Sequence, residues 1–407
     1  MKNIQFLALL AFAFCMASCA KEDLKPTTGT SSDLDQFKLE AGTGLLNEDE
    51  VLQVLGLANE VSDRNAQPML YTMSNQASGN LVMAFQRNDD GSLTGLSTSY
   101  PTGGMGTDAY LANQGALAMS TNKKFLYAVN PGSNELSHFY INADGSLDLL
   151  GKLPSGGEKP VSVAVNNGLV YVLNAGGDGN ITGFGYNQQG QLIKLSDSTK
   201  PLSGTDAAAA QLDFSTNGKV LVATEAATNT ITTFAMLGNG RPGIRHTYTT
   251  AGTTPMGFDM GSFNNFYVSE AGGSLTGAST VSSYHVDNSG IVSLLDGPVA
   301  TNGTGGSLVV LSGNKQRMYT ANSGSNSINY LNASLTGHLS LGNNCNTTDA
   351  MTTPVDAAMD KDSKNMYVLT SGNDAIITYS VDANGQLTQK SMYSSNLPDA
   401  MSGMVVK

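Results

Sequence analysis

The 407-residue chain holds three cysteines, at positions 15, 19 and 345. The first two belong to an apolar leader and its end, which leaves Cys345 as the one thiol of the body. An intramolecular disulfide is therefore excluded, and so is a CxxC redox or metal site. Cys345 reads as a loop or packing residue. Charge is also scarce. Charged residues make up 13%, with 33 acids against 21 bases and a formal net charge of −12. This balance disfavours nucleic acid and other polyanions as partners. After Cys19 no apolar run approaches the ~18 residues that a membrane-crossing helix needs. Nothing resembles a Ser/His/Asp arrangement, and no glycine-rich phosphate loop precedes a helix. The sequence shows no clustered Asp-x-Asp loop of the kind a hard cation wants, so neither a metal nor a cofactor is expected.

What is abundant is glycine, 46 residues, together with serine, threonine and asparagine, in a chain that is 40% hydrophobic. That mixture fits an all-β protein with many tight turns.

The N-terminus has its own logic. Lys2 followed by the apolar run Ile4 to Met16 reads as a secretory signal, too short for a stable transmembrane helix. It ends in MASC, which resembles a lipobox, so Cys19 is the expected lipidation site and residues 1–18 the lipoprotein signal peptide. A plain secretory peptide cut near Ala17, with an incidental cysteine, is the alternative. Ala20-Lys21-Glu22-Asp23-Leu24 resembles the lysine-plus-two-acids export signal of surface lipoproteins in Bacteroidetes-type bacteria. The resemblance implies a protein held to outer-membrane lipid through Cys19 and exposed at the cell surface. Residues 19–67 then form a Ser/Thr-rich tether. Within it Val51, Leu52, Val54, Leu55 and Leu57 are spaced for one short amphipathic helix over Glu48–Glu60, lying on the following domain or mobile.

From residue 68 the chain repeats itself. Gly115–Gly151 reads as four short strands, ALAMS, FLYAVN, LSHFYIN and SLDLLG, the last following an Asp144-Gly145 turn. The second-strand signature recurs at Tyr71, Tyr127, Tyr171, Val222, Tyr267, Tyr319 and Tyr367, spaced 44 to 56 residues apart. Seven such units predict a seven-bladed β-propeller of four-stranded blades over residues 68–407. The first unit lacks its inner strand, and Ala400–Val406 has that character at the other end. The C-terminal strand is thus expected to complete the first blade and close the ring.

In such blades the loops from second to third strand, and those between blades, share one face. The position closing each second strand reads Ser74, Asn130, Asn174, Glu225, Glu270, Asn322 and Thr370, and the inter-blade loops add Asp108, Glu158, Lys159, Asp206, Asp349 and Asp399. Glu225 and Glu270 fall at the same position of adjacent blades. Two carboxylates at a channel mouth can bind a cation, orient a sugar hydroxyl, or act as acid and base. The other reading is that each glutamate caps its own turn. Asn130, Asn174, Asn322, Asp108, Asp206 and Lys159 are candidate ligand contacts on this face. The four histidines, His138, His246, His285 and His338, read as rim residues.

The repeat cores STNKKFLYAVNPGSNELSHFYINADGSL and STNGKVLVATEAATNTITTF resemble those of the lactonase-like seven-bladed propellers, the type that includes phosphogluconolactonases and carboxymuconate cyclases. The resemblance covers about Met69 to Lys407 and implies the fold. In the phosphogluconolactonase type a Gly-Pro-Arg-His step opens a middle inner strand, and a Glu follows the Asn that ends the second strand. Matched on Asn217-Gly218-Lys219, this chain has Ala208, Ala209, Ala210 and Gln211 at the first motif, then Glu225 and Ala226 at the second. The arginine and histidine expected to hold and polarise a lactone are absent there. A phosphorylated substrate would also be cytosolic and want a basic pocket. The expectation is a surface propeller that binds a small molecule or an envelope protein at an acidic channel mouth. The alternative is a hydrolase of an unphosphorylated sugar or aromatic lactone, with Glu225 and Glu270 activating water. A purely structural partner in an envelope complex is a third possibility.

Overall fold

The computed structural model describes residues 44–58, 66–111, 113–273, 275–342 and 351–407. Cys19, the leader, Cys345 and Asp349 lie outside them. Each repeat folds as expected. Blade two runs outward from β4 (Leu117–Met119) through β5 (Phe125–Asn130) and β6 (Glu135–Ile141) to β7 (Leu147–Pro154), all antiparallel. All six residues of FLYAVN in β5 are buried, because a sheet flanked by two neighbours hides both faces of its second strand. The outermost strand β7 is half-buried or exposed at every residue after Leu147.

Blade three spans β8 (Glu158–Asn166) to β12 (Lys200–Pro201), blade four β13 (Ala209–Phe214) to β16 (Pro242–Thr249), and blade five β17 (Pro255–Met260) to β20 (Val292–Ala300). Blade six spans β21 (Gly306–Leu311) to β24 (Leu339–Leu341) and blade seven β25 (Pro354–Met359) to β28 (Leu387–Tyr393). The Asp144-Gly145, Asn217-Gly218 and Ser289-Gly290 turns place their glycines at φ of 86°, 71° and 89°, where a side chain would be strained.

The tyrosine that marks each repeat has a second role. In four blades its hydroxyl leaves its own blade and donates to the outer turn of the next, whereas the ring of Tyr367 lies under the Arg87 guanidinium of blade one, 5.9 Å from its centre. Tyr71 reaches Gly145 O at 2.9 Å, Tyr171 reaches Gly240 O at 2.7 Å and Tyr319 reaches Gly385 O at 2.9 Å. Tyr267 meets Ser334 O at 3.4 Å, and Tyr127 meets the hydroxyl of Tyr186 at 3.0 Å. Blade four has Val222 at this position, and there Thr233 Oγ1 makes the bond instead, to Gly290 O at 2.6 Å.

Blade one contains β1 (Met69–Met73), β2 (Leu81–Arg87) and β3 (Leu93–Pro101), and its inner strand is β29 (Ser402–Val406). β29 pairs antiparallel with β1, Tyr71 facing Val405 and Leu70 facing Val406. The chain end is tied twice more: Lys407 N donates to Met69 O and Arg87 Nη2 to Lys407 O, both at 2.8 Å.

The helix foreseen ahead of the propeller is α1 (Glu48–Val54), shorter than its hydrophobic spacing suggests, and it is docked. Asn47 and Glu50 form a capping box at its start. Val51 and Leu52 are buried in the core of blades two and three. The carboxylate of Glu48 accepts from the backbone N–H groups of Thr121 and Asn122, in the inner turn of blade two. Leu46 also pairs with Tyr186 of blade three.

Deleting residues 401–407 should leave β1 unpaired and uncover the inner face of blade one. The expected outcome is loss of the cooperative thermal transition; a truncated chain that melts at the wild-type temperature overturns closure by β29.

Candidate functional site

The residues that end the second strands lie where the sequence puts them but do not open to solvent. Ser74, Asn130, Asn174, Glu225, Glu270, Asn322 and Thr370 are all 0% exposed. Glu225 accepts from Ser203 N at 3.1 Å, Thr228 Oγ1 at 3.0 Å and Thr232 Oγ1 at 2.5 Å, and from the Ser203 hydroxyl. Glu270 accepts from Gly252 N at 2.9 Å, Thr280 Oγ1 at 2.6 Å, Ser282 Oγ at 2.9 Å and Tyr284 OH at 3.0 Å. Four donors fill the acceptor capacity of a carboxylate. The two glutamates share no donor. Each is turned into its own blade and the loop that enters it, which is the capping arrangement.

The asparagines do the same work with fewer bonds. Asn130 accepts from Asn80 Nδ2 at 3.0 Å and Thr102 Oγ1 at 2.7 Å and donates to Ser137 Oγ at 2.8 Å. Asn174 donates to Ser155 O and Asn180 Oδ1, and Asn322 to Asn329 Oδ1 at 2.6 Å. Each of these side chains lies against a glycine of the entering loop. A Cβ on Gly104, Gly157, Gly252 or Gly303 would stand 2.5, 2.6, 2.1 or 2.2 Å from the nearest atom, and Asn130, Asn174, Glu270 or Asn322 is within 2.7 Å. A small polar residue sits two places before each glycine, in Thr102-Gly-Gly, Ser155-Gly-Gly, Thr250-Ala-Gly and Thr301-Asn-Gly. That spacing was a legible signal that the strand-closing residue is sealed in.

The inter-blade candidates are exposed but their backbones are tied down. Asp108, Lys159 and Asp206 have φ of 56°, 50° and 53°. Lys159 N donates to Asn134 Oδ1 at 2.7 Å, and Asp108 Oδ1 accepts from Ala77 N at 2.8 Å. Thr254 N and Thr353 N meet Asn229 and Asn326 in the same way as Lys159 meets Asn134. One histidine departs from expectation. His138 is 7% exposed on β6 instead of lying at the rim, and burial pulls its pKa down to about 4.

The first-to-second blade connection crosses the ring. Gln114 Nε2 donates to Val309 O at 2.8 Å and its Oε1 accepts from Val309 N at 3.2 Å, on the inner strand of blade six. Asn113 Nδ2 donates to Val161 O in blade three, and Leu111 N to Ser402 Oγ in blade one. Gly257 of blade five faces the same amide, where a Cβ would lie 2.4 Å from Gln114 Oε1. Leu111, Asn113 and Gln114 therefore bridge the inner strands of blades one, three and six.

A different acidic pair lines the inner strands of blades four and five. Asp213 and Asp259 face Val222 and Tyr267 across their sheets, three places before Glu225 and Glu270. The other five blades have Ala118, Ala164, Val310, Ala358 and Val405 there. Asp259 accepts from Leu311 N at 2.9 Å and pairs with Lys315 at 3.4 Å. Burial, with the neighbouring Asp259 adding, lifts the Asp213 carboxyl to about 7, against the Phe214 N–H and Lys315, which pull it down. The sequence carried this signal in QLDFS and GFDMG, an acid inside an inner strand of adjacent blades. On blade seven, burial lifts Asp356 to about 8, with the Ala357 and Met404 N–H groups opposing.

No protein-family model matches the chain, and the curated proteins include none similar to it in sequence. Solved structures do match. A candidate 6-phosphogluconolactonase of Bacteroides fragilis superposes with a TM-score of 0.64 at 18% identity, over 86% of this chain and 100% of its own. One from Bacteroides uniformis gives 0.63 at 20%, over 84% and 100%. The periplasmic gluconolactonase of Pseudomonas aeruginosa gives 0.66 at 14%, over 84% and 98%. At these identities the likeness establishes the fold alone, a seven-bladed propeller of four-stranded blades.

Two outcomes follow. Glu270→Gln presents an amide to the donors around it and should cost about 1–3 kcal/mol in urea unfolding, while exposed Glu158→Gln should cost nothing measurable. Asp356 has a folded pKa of about 8, above its unfolded value of 3.8, so its contribution is intact in acid and declines as pH rises between those values. Asp356→Asn should match wild type in melting temperature near the acid end of that window and exceed it above pH 8. Parallel pH profiles would refute this.

Proposed function

We propose that this chain is an exported lipoprotein, held to outer-membrane lipid through Cys19 and displayed at the cell surface, whose propeller binds a partner at its acidic face. The observation that carries the binding reading is the state of Glu225 and Glu270. Both are wholly buried and fully occupied by donors from their own blades and the loops that enter them, so neither is placed to activate water. The positions matched to the lactonase arginine and histidine hold Ala210, which is buried, and Gln211, whose amide is spent on the backbone of Phe258 at 2.9 and 2.7 Å. What remains available on that face is the set of exposed acids Asp108, Glu158, Asp206 and Asp399, beside Lys159. They suit a cationic or hydroxyl-rich surface, either a small molecule or an envelope protein.

One observation favours the second reading, hydrolysis of an unphosphorylated sugar or aromatic lactone. Asp213 is half-buried, and its carboxyl titrates near neutrality beside Asp259 and Lys315, the poise a general base needs. The P. aeruginosa structure is named for gluconolactone and for the periplasm, which supports this class outside the cytosol.

A hydrolysis screen over such lactones separates the two. Binding predicts no turnover above buffer; turnover that disappears in Asp213→Asn establishes the hydrolase. Membrane fractionation tests the anchor: Cys19→Ala should move the protein to the soluble fraction, and an unchanged distribution refutes lipidation.

A further inference from the structure

A cleft of about 330 Å³ opens on the face opposite the acidic one, between the inner turns of blades six and seven. Arg317, Lys361 and Lys364 line it, in a chain whose overall charge is negative. Arg317 donates to the carbonyl oxygens of Asp382 and Ala383, which use two of its five N–H donors and leave its charge uncompensated. Among the described residues no carboxylate forms an ion pair with any of these three cations. Asp362 and Asp382 are the acids of the lining. One oxygen of Asp382 is held by Asn384 N and Gln386 N at 2.8 Å each, and Asp362 is exposed.

The cleft is built rather than incidental. Gly313 N donates to Ser363 Oγ at 2.7 Å, locking the two turns together. A Cβ at Gly313 would stand 2.7 Å from Lys361 O, so that approach requires glycine. A preformed concavity spends little of its binding energy on ordering itself. Its size is near the lower end for small-molecule sites.

The mixture of charges narrows the ligand. Two acids weaken the site for a bare oxyanion, and three unpaired cations make it a poor one for a neutral sugar. A molecule with one oxyanion and several hydroxyls satisfies both sets, its anion against Arg317, Lys361 and Lys364 and its hydroxyls donating to Asp362 and Asp382. We propose that this cleft binds an anionic monosaccharide of the uronic-acid class. The site lies apart from the acidic face and stands or falls independently of the function argued for that face.

The test is calorimetric titration of the full chain at low ionic strength with D-glucuronate, D-glucose and inorganic sulfate. Glucuronate should bind saturably, with glucose and sulfate each at least about tenfold weaker. Lys361→Ala/Lys364→Ala should weaken glucuronate by about tenfold or more. If that double variant does not fold, Lys361→Ala alone carries the test with the same direction. Absence of saturable glucuronate binding, equal affinity for glucose or sulfate, or undiminished affinity in the variant overturns the proposal.

Discussion

Four of the seven blade junctions rest on a phenol of one blade reaching the outermost turn of the next. A four-stranded blade cannot bury both of its faces alone, and apolar packing between neighbouring blades does not by itself fix their rotation. The bonds from Tyr71, Tyr171 and Tyr319 to Gly145, Gly240 and Gly385 fix it, each joining a buried second strand to the tip of an outer hairpin. They also explain why the repeat is recognisable. Both partners, an aromatic at a set position and an Asp-Gly or Asn-Gly turn one blade later, are constrained residue types in a chain that otherwise varies. Blade four shows that the bond matters more than the residue. With Val222 in place of tyrosine, Thr233 on the adjacent strand donates to Gly290.

A second set of bonds works at the opposite ends of the same strands. Buried polar groups must be paired, and the strand-closing residues pair with the loops that enter their blades. Asn130 and Glu270 are two solutions to that demand. Asparagine both donates and accepts, whereas glutamate is surrounded by threonine, serine and tyrosine hydroxyls and by a backbone N–H. The change from Asn to Glu in blades four and five therefore goes with a change of partners. Thr228 and Thr280 serve the carboxylates in those two blades, while Thr232 and Ser282 stand where Ser137 meets Asn130 in blade two.

The fold was legible because it rests on period, and period survives in a single sequence. The seven blades, their turns and the closure of blade one by Ser402–Val406 follow from spacing alone. The site was less legible because it rests on side-chain direction. Glu225 and Glu270 were rightly placed on the backbone, but nothing in their own identity says that they turn inward. The glycines at 104, 157, 252 and 303 do say so, once it is seen that each leaves room for the residue it faces. Gln114 was illegible for a different reason. It sits in an irregular connection, and its partner Val309 is 195 residues away.

Closure by the last strand has a kinetic consequence. The inner strand of blade one is supplied by residues 402–406, so the ring cannot close until strands from the two ends of the propeller have paired, a contact of large sequence separation that forms slowly. The bonds that lock the seam run from Lys407 N to Met69 O and from Arg87 to Lys407 O.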